Sequence, residues 1–174
     1  MIEGQTKCGF VALLGAPNVG KSTLMNTLIG TKVSIVTHKV QTTRTRVIGV
    51  LVKHRSQLIF VDTPGIFEPK RRLERAMVTA AWSGASDADI LLLLVDASKP
   101  VADSSQRVIQ ELKARNREAL LVVNKIDKID RKQLLGQVDR FRGEGIFSEV
   151  FLLSALNGDG VEDLVSYLET QVPE

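Results

Sequence analysis

A glycine-rich stretch between an apolar run and an amphipathic run constrains this 174-residue chain more than any other feature. It reads Gly15-Ala16-Pro17-Asn18-Val19-Gly20-Lys21-Ser22-Thr23 and matches the pattern G-x-x-x-x-G-K-[ST]. The two glycines let the backbone turn tightly, so that successive N–H groups and a helix N-terminus face one anion. Lys21 adds a positive charge, and the Ser22 hydroxyl is a hard oxygen ligand suited to Mg²⁺. The stretch predicts a loop that binds nucleotide phosphates, without choosing the base.

The composition is that of an ordinary folded domain, with 44% hydrophobic and 25% charged residues. No apolar run approaches the roughly 18 residues that cross a bilayer, and the longest, Ile90 to Val95, predicts a buried strand. Met1 to Lys7 lacks a signal-peptide core. We therefore expect a single cytoplasmic domain, in which the one cysteine, Cys8, is a packing residue.

The net charge of +3 is unevenly distributed along the chain. Lysine and arginine gather in 39–55, 70–75 and 113–142, and none follows Arg142. This distribution suits an anionic ligand or a nucleic acid, but solvated helix faces produce the same pattern and are the favoured interpretation.

Short apolar runs alternate with amphipathic stretches, which predicts an α/β fold with helices on both faces of a sheet. We expect five parallel strands and one antiparallel edge, the latter from a hairpin linked by His54-Arg55-Ser56-Gln57. The predicted strands are 10–14, 47–53, 58–61, 90–95, 119–123 and 150–153. The predicted helices are 21–29, 73–86, 104–115 (capped by Asp103 or Ser104), 131–142 and 161–172.

A second motif, Asn124-Lys125-Ile126-Asp127, follows the strand 119–123. The Asp127 carboxylate accepts two hydrogen bonds from guanine, whereas adenine presents a lone acceptor there and would leave it unpaired. Lys125 can lie along the base, and Asn124 can tie this loop to the phosphate loop. Ser154-Ala155-Leu156 near the last strand could offer the Ala155 N–H to the guanine oxygen. Together these residues favour GTP over ATP.

A third motif, Asp62-Thr63-Pro64-Gly65, ends another apolar strand. Asp62 can hold Mg²⁺ through a coordinated water, and the Gly65 N–H can meet the γ-phosphate. Between the first helix and the hairpin lies Val40-Gln41-Thr42-Thr43-Arg44. One threonine here should complete the Mg²⁺ shell, with Thr43 preferred over Thr42.

The ordered set of motifs resembles the G domain of the Era family, bacterial ribosome-assembly GTPases of the TrmE-Era-EngA-like superfamily. The resemblance implies a Ras-like P-loop fold in which a six-stranded mixed sheet is flanked by five helices. It also implies a monomeric GTPase that hydrolyses GTP to GDP and phosphate, with Lys21, Thr43 and Gly65 in catalytic roles. We expect residues 1–174 to be the G domain alone, without the family's C-terminal KH domain.

In many GTPases a glutamine after D-x-x-G positions the attacking water, but Ile66 stands there in this chain. We therefore expect slow hydrolysis that depends on Lys21, Mg²⁺ and backbone donors. In related GTPases with this substitution, an asparagine at the position of Asn18 holds K⁺, so K⁺ is an optional cofactor here.

For the full-length protein the resemblance implies 16S ribosomal RNA and the 30S subunit as partners. The location it implies is the cytoplasm, with peripheral association at the inner face of the membrane as a further option. The alternative function is a GTP-dependent interaction module of another Era-like GTPase with little intrinsic hydrolysis. An ATPase is the other rival, and Asp127 argues against it.

Overall fold

The structure is a computed structural model that describes residues 5–32, 46–62, 82–83 and 85–174, without the side chains of 29–32 and 46. The predictions made for Thr42, Thr43, Gly65 and Ile66 lie outside these residues. Most of the predicted helix 73–86 also lies outside them, although Trp82, Ser83, Ala85 and Ser86 at its end are helical.

The sheet has six strands in the order β2-β3-β1-β4-β5-β6. All neighbouring strands pair in parallel except β2 and β3, which form the predicted antiparallel hairpin at one edge. The mixed sheet is therefore confirmed. The strands are β1 (Lys7–Gly15), β2 (Arg46–Lys53), β3 (Ser56–Asp62), β4 (Ile90–Asp96), β5 (Ala119–Asn124) and β6 (Phe147–Leu152).

Besides the helical residues within 82–86, four α-helices and one 3₁₀ helix accompany the sheet in the described part of the chain. Within these described ranges, no helix is long and apolar enough to span a membrane. The helices are α1 (Lys21–Lys32), α2 (Asp103–Ala114), the 3₁₀ turn (Ile126–Lys128), α3 (Arg131–Arg142) and α4 (Val161–Gln171).

The core lies along the central strands β1, β4 and β5. Leu92, Leu93 and Leu94 of β4 have no exposed surface, and every residue of β5 is buried. Strands covered on both faces bury consecutive side chains, so they read as continuous apolar runs. That is why the sequence predicted β4 and β5 to within a residue, whereas β1 begins at Lys7 rather than at the predicted Phe10.

The predicted cap of α2 and the predicted start of β6 were wrong. The residue that caps α2 is Ala102, which makes no side-chain capping bond, and Asp103 already lies in the first helical turn. Strand β6 begins at Phe147 rather than Val150, because Ser148 and Glu149 are exposed on this edge strand and hide its start from a search for apolar runs.

The prediction that Cys8 is a packing residue was also wrong. Cys8 lies in β1, where it is exposed and its Sγ approaches Gln57 Oε1 of β3 at 3.9 Å. The hairpin turn is shorter than predicted, since strand pairing continues to Lys53 and Ser56 and leaves only His54 and Arg55 between the strands.

Candidate functional site

The parts of the predicted motifs that the structure describes meet at the carboxyl edge of the parallel strands, where open α/β sheets bind their ligands. Gly15 ends β1, Asp62 ends β3 and Asn124 ends β5. The segment Ser154-Ala155-Leu156 follows β6 at the same edge. Parallel pairing thus brings together residues that are far apart in sequence.

The phosphate loop turns from β1 into α1 through residues with left-handed backbone. Asn18 has φ 65° and Gly20 has φ 101°, and the Leu24 N–H donates to Gly20 O at 2.9 Å as the helix begins. A Cβ at Gly20 would lie 2.2 Å from Asn124 Nδ2. Gly20 is therefore required both by its φ and by the close approach of the base loop.

Lys21 and Asp62 face one another across the loop, with Lys21 Nζ 3.5 Å from Asp62 Oδ1. Both side chains keep about a fifth to a quarter of their surface exposed, at 22% and 24%. The residue predicted to carry positive charge to the phosphates thus lies beside the carboxylate predicted to help hold Mg²⁺. Ser22, a second predicted Mg²⁺ ligand, is exposed at the start of α1.

Asn124 joins the phosphate loop to the base loop. Its side chain is buried, at 2% exposure. Its Nδ2 donates to Val19 O at 2.9 Å, and its Oδ1 accepts from the Ala155 N–H at 2.9 Å. The predicted tie between the two loops therefore exists, and it extends to the segment after β6.

Both backbone groups of Ala155 are held by side chains in the structure. The N–H bonds to Asn124, and the carbonyl accepts from Thr27 Oγ1 of α1 at 2.6 Å. Because the predicted donor to the guanine oxygen is already engaged with Asn124, a guanine contact would have to share this N–H. Thr27 was not predicted, since no motif marks a threonine in the second turn of the helix.

Lys125 spans the gap between the phosphate loop and the end of β4. It has φ 64°, and its Nζ donates to Asn18 O at 2.8 Å and to Asp96 Oδ2 at 2.8 Å. The Asp96 side chain is 7% exposed, and its Oδ1 accepts from the backbone N–H and hydroxyl of Ser98 at 2.9 and 2.6 Å. Burial alone would raise the pKa of Asp96, but the hydrogen bonds from Lys125 and Ser98 outweigh it and lower the pKa below the usual value.

The sequence motifs gave no signal for Asp96. Its place in the site follows from the pairing of β4 with β5, in which Asp96 lies opposite Asn124. The available clue was an acidic residue at the end of a buried strand, because parallel pairing with the next strand brings it beside the Asn124-Lys125 pair.

A cavity of about 200 Å³ opens beside these contacts. This is smaller than the roughly 300–1,000 Å³ of a typical ligand pocket, and it suits one ring system rather than a whole nucleotide. Its lining includes Lys125 and Asp127 of the predicted base loop but not Ala155, and it reaches Gly20 of the phosphate loop. Its lining comprises Gly20, Thr23, Asn124, Lys125, Asp127, Lys128, Ser154 and Leu156.

The donor set fits Mg²⁺ held largely by phosphate. Mg²⁺ is commonly bound through one or two carboxylates together with substrate phosphates and water. Ser22 and Asp62 would supply two hard oxygens here. Across the described ranges there is no group of three or more His, Cys, Asp or Glu side chains that could hold a metal ion without such help.

Comparison with known proteins agrees with this arrangement. GTPase Era of Bradyrhizobium sp. (strain ORS 278) is 54% identical over 171 residues, covering 98% of this chain and 56% of that protein. The chain thus spans about half the length of the curated relatives it matches.

Two solved structures are similar over nearly the whole chain. An Aquifex aeolicus Era variant bound to GDP and AlF₄⁻ has 40% identity and a TM-score of 0.76, covering 97% of this chain and 58% of that one. Era in complex with MgGDPNP and nucleotides 1506–1542 of 16S ribosomal RNA has 40% identity and a TM-score of 0.77, covering 98% and 58%.

The resemblance to the Era G domain is thereby confirmed. A sequence profile of the family described as 50S ribosome-binding GTPase matches residues 10–125, which is more than half of this chain. The chain therefore belongs to the 50S ribosome-binding GTPase family.

Proposed function

We propose that this domain binds GTP and GDP with Mg²⁺ and hydrolyses GTP slowly to GDP and phosphate. The observation that carries the proposal is Asn124, whose two side-chain hydrogen bonds hold the phosphate loop and the base loop in one frame. A nucleotide must contact both loops at once, and here neither loop can shift without breaking a buried hydrogen bond.

Base choice rests on Asp127. Its carboxylate is exposed at the cavity, where it can accept hydrogen bonds from the ring N–H and the amine of guanine. Adenine offers an acceptor in place of the ring donor, so binding it would leave the carboxylate unpaired. This is the chemical reason for proposing a guanine nucleotide as substrate.

Ser22 and Asp62 would hold Mg²⁺ with the phosphates, and the ion would neutralise phosphate charge. Lys21, which lies next to Asp62, would contact phosphate oxygens. The backbone N–H groups of the phosphate loop add fixed dipoles directed at the same charge. Thr43 and Gly65 keep their proposed roles, as the third Mg²⁺ ligand and as the γ-phosphate contact.

Slow turnover follows from Ile66, whose side chain cannot orient a water by hydrogen bonding. The Asn18 side chain, exposed on the phosphate loop, is the proposed K⁺ ligand. If it holds K⁺ near the phosphates, hydrolysis will be faster in K⁺ than in Na⁺. The variant Asn18→Gly, which keeps the left-handed backbone accessible, should abolish that difference, and equal rates in both salts for the wild type would contradict the K⁺ role.

For the protein in which this domain occurs, we propose a role in assembly of the 30S subunit with 16S ribosomal RNA. The support is the similarity to Era and the ribosomal RNA present in one similar structure. We further propose that the protein is a monomer located in the cytoplasm, with peripheral membrane association as an additional proposal.

The decisive experiment is GTP hydrolysis by the purified chain with and without Mg²⁺. We expect slow phosphate release that requires Mg²⁺ and is lost in Lys21→Ala, whereas Lys132→Ala, which removes an exposed lysine on α3, behaves as wild type. GTP binding without hydrolysis would support the interaction module instead. Absence of GTP binding would refute the proposed function.

Titration of Asp127→Asn with GTP and with XTP tests base choice. The amide would offer an N–H where guanine presents its amine, so GTP binding should weaken by about 100-fold or more. Xanthine carries a carbonyl at that position, so XTP should bind the variant better than the wild type. Unchanged GTP preference in the variant would show that Asp127 does not read the base.

A further inference from the structure

The end of β4 contributes a buried carboxylate to the site that none of the nucleotide motifs includes. Asp96 is 7% exposed at its side chain and lies opposite Asn124 in the pairing of β4 with β5. One carboxylate oxygen faces Lys125, and the other accepts two hydrogen bonds from Ser98. The two Ser98 bonds fix the plane of the carboxylate, so its second oxygen has a defined direction.

The second carboxylate oxygen of Asp96 points at the ammonium group of Lys125. Its Nζ is 2.8 Å from both Asp96 Oδ2 and Asn18 O, and its side chain is 24% exposed. A free lysine side chain samples many rotamers, and fixing it costs conformational entropy. Here the ammonium is anchored at its far end, so the four-carbon stem is held as one wall of the base cavity.

The same ammonium also binds the backbone of the phosphate loop where it turns through a left-handed residue. Asn18 has φ 65°, a conformation that is less favourable for asparagine than for glycine and that surrounding contacts help to fix. The hydrogen bond from Lys125 to the Asn18 carbonyl is such a fixing contact. Through Lys125, Asp96 therefore supports both one wall of the base cavity and the bend of the phosphate loop.

We propose that Asp96 is a positioning residue for guanine-nucleotide binding, which acts through Lys125 to preset the base cavity and the phosphate loop. This inference rests on the proposed function, because it concerns the same site. It differs from a purely structural ion pair in one respect. The carboxylate stabilises the nucleotide-binding arrangement of Lys125 specifically, so its removal affects nucleotide affinity beyond its effect on unfolding.

The test is a double-mutant cycle with Asp96→Asn, Lys125→Met and the double variant, using GDP titration and the melting temperature of the nucleotide-free protein. Loss of a charged hydrogen bond corresponds to about 10-fold or more in affinity. We expect Asp96→Asn to weaken GDP binding by about 10-fold. The double variant should bind no more weakly than Lys125→Met, because Asp96 then has no lysine to position.

Steady-state GTP hydrolysis supplies a second measurement that a structural role would not move in the same way. In Asp96→Asn, KM should rise by about 10-fold, following the lost charged hydrogen bond, while kcat at saturating GTP stays near wild type, since Asp96 touches no reacting atom. The matched control is Asp139→Asn, an exposed carboxylate on α3. It should leave KM, kcat and the melting temperature unchanged.

Three outcomes would overturn the inference: GDP affinity of Asp96→Asn equal to wild type, losses that multiply in the double variant, or a fall in kcat without a change in KM. If Asp96→Asn does not fold, Ser98→Ala replaces it, since it removes one of the hydrogen bonds that fix the carboxylate. It should weaken GDP binding by a few-fold, and an unchanged affinity would refute the positioning role. Failure of the wild type to bind GDP would instead refute the proposed function.

Discussion

At the residue scale, the site depends on a few side chains that bond to backbone in more than one loop. Asn124 bonds to the phosphate loop and to the segment after β6, and Lys125 bonds to Asn18 and Asp96. Thr27 adds a bond from α1 to Ala155. All of these bonds join protein groups, and together they hold the phosphate loop, the base loop and the segment after β6 against one another.

Replacing Asn124 by alanine should destabilise the protein by about 2–4 kcal/mol, because Val19 O and the Ala155 N–H would both lose a buried partner. Urea denaturation without nucleotide measures this loss. Asn26→Ala, at an exposed position of α1, serves as the control and should change the unfolding free energy by less than about 0.5 kcal/mol. Equal effects of the two substitutions would contradict the joining role of Asn124.

Two glycine-to-alanine substitutions should have opposite signs. At Gly20, φ is 101° and a new Cβ would lie 2.2 Å from Asn124 Nδ2, so Gly20→Ala should lower stability and GDP affinity together. At Gly136, in the middle of α3, a Cβ would meet nothing within 4 Å. Gly136→Ala should therefore stabilise the protein by about 0.5–1 kcal/mol. A stabilising effect of Gly20→Ala would contradict the close approach of Asn124 to Gly20.

The stability contribution of Asp96 should depend on acidic pH. Its pKa is lowered on folding from the usual 3.8, so the folded state favours the charged form. The contribution is present above the unfolded pKa and is lost as pH falls through the folded pKa. The difference in unfolding free energy between wild type and Asp96→Asn should thus be constant above about pH 5 and shrink below about pH 4. A difference independent of pH would contradict a charged Asp96.

At the element scale, the helices that flank the site begin in different ways. Asp130 caps α3 by accepting a hydrogen bond from the Gln133 N–H at 2.8 Å. No acidic residue follows in the first turn of α3, where Arg131 and Lys132 are unfavourable to the helix dipole. The start of α2 shows the opposite combination. Ala102 supplies no side-chain capping bond, whereas Asp103 in the first turn is favourable to the helix dipole.

Asp130→Ala should therefore cost about 1 kcal/mol of stability, the usual value for loss of a side-chain cap. Asp103→Ala should cost less, about 0.3–1 kcal/mol, and its effect should diminish in high salt, because only the dipole interaction is lost. Thermal unfolding of both variants at low and high salt separates the two. A larger loss for Asp103→Ala would show that the cap assignment is wrong.

Most of the elements could be predicted, and the exceptions have physical causes. Strands β4 and β5 are buried on both faces, so their apolar runs coincide with their bounds to within a residue. Strand β6 lies at an edge with exposed Ser148 and Glu149, and its first half was therefore missed. Edge strands bury fewer of their side chains than central strands, so hydrophobic runs alone predict their bounds less well.

At the scale of the whole molecule, the strand order determines which motifs meet. Phosphate-loop and base-loop residues could be predicted from local patterns such as Gly15 to Ser22 and Asn124 to Asp127. Asp96 and Thr27 could not, because their roles arise from pairing of β4 with β5 and from the contact of α1 with the Ala155 segment. The local sequence specifies each loop, whereas the side chains that hold the loop in place become evident only once the strands are paired.

The central claim is that the carboxyl edge of the sheet forms a preset site for a guanine nucleotide. The most direct measurement is titration of the purified chain with GDP and with ADP in the presence of Mg²⁺. The two ligands share their phosphates and sugar, so their difference reports the base cavity alone. We predict that GDP binds at least about 100-fold more tightly than ADP. Similar affinities for GDP and ADP, or no binding of GDP, would contradict the account.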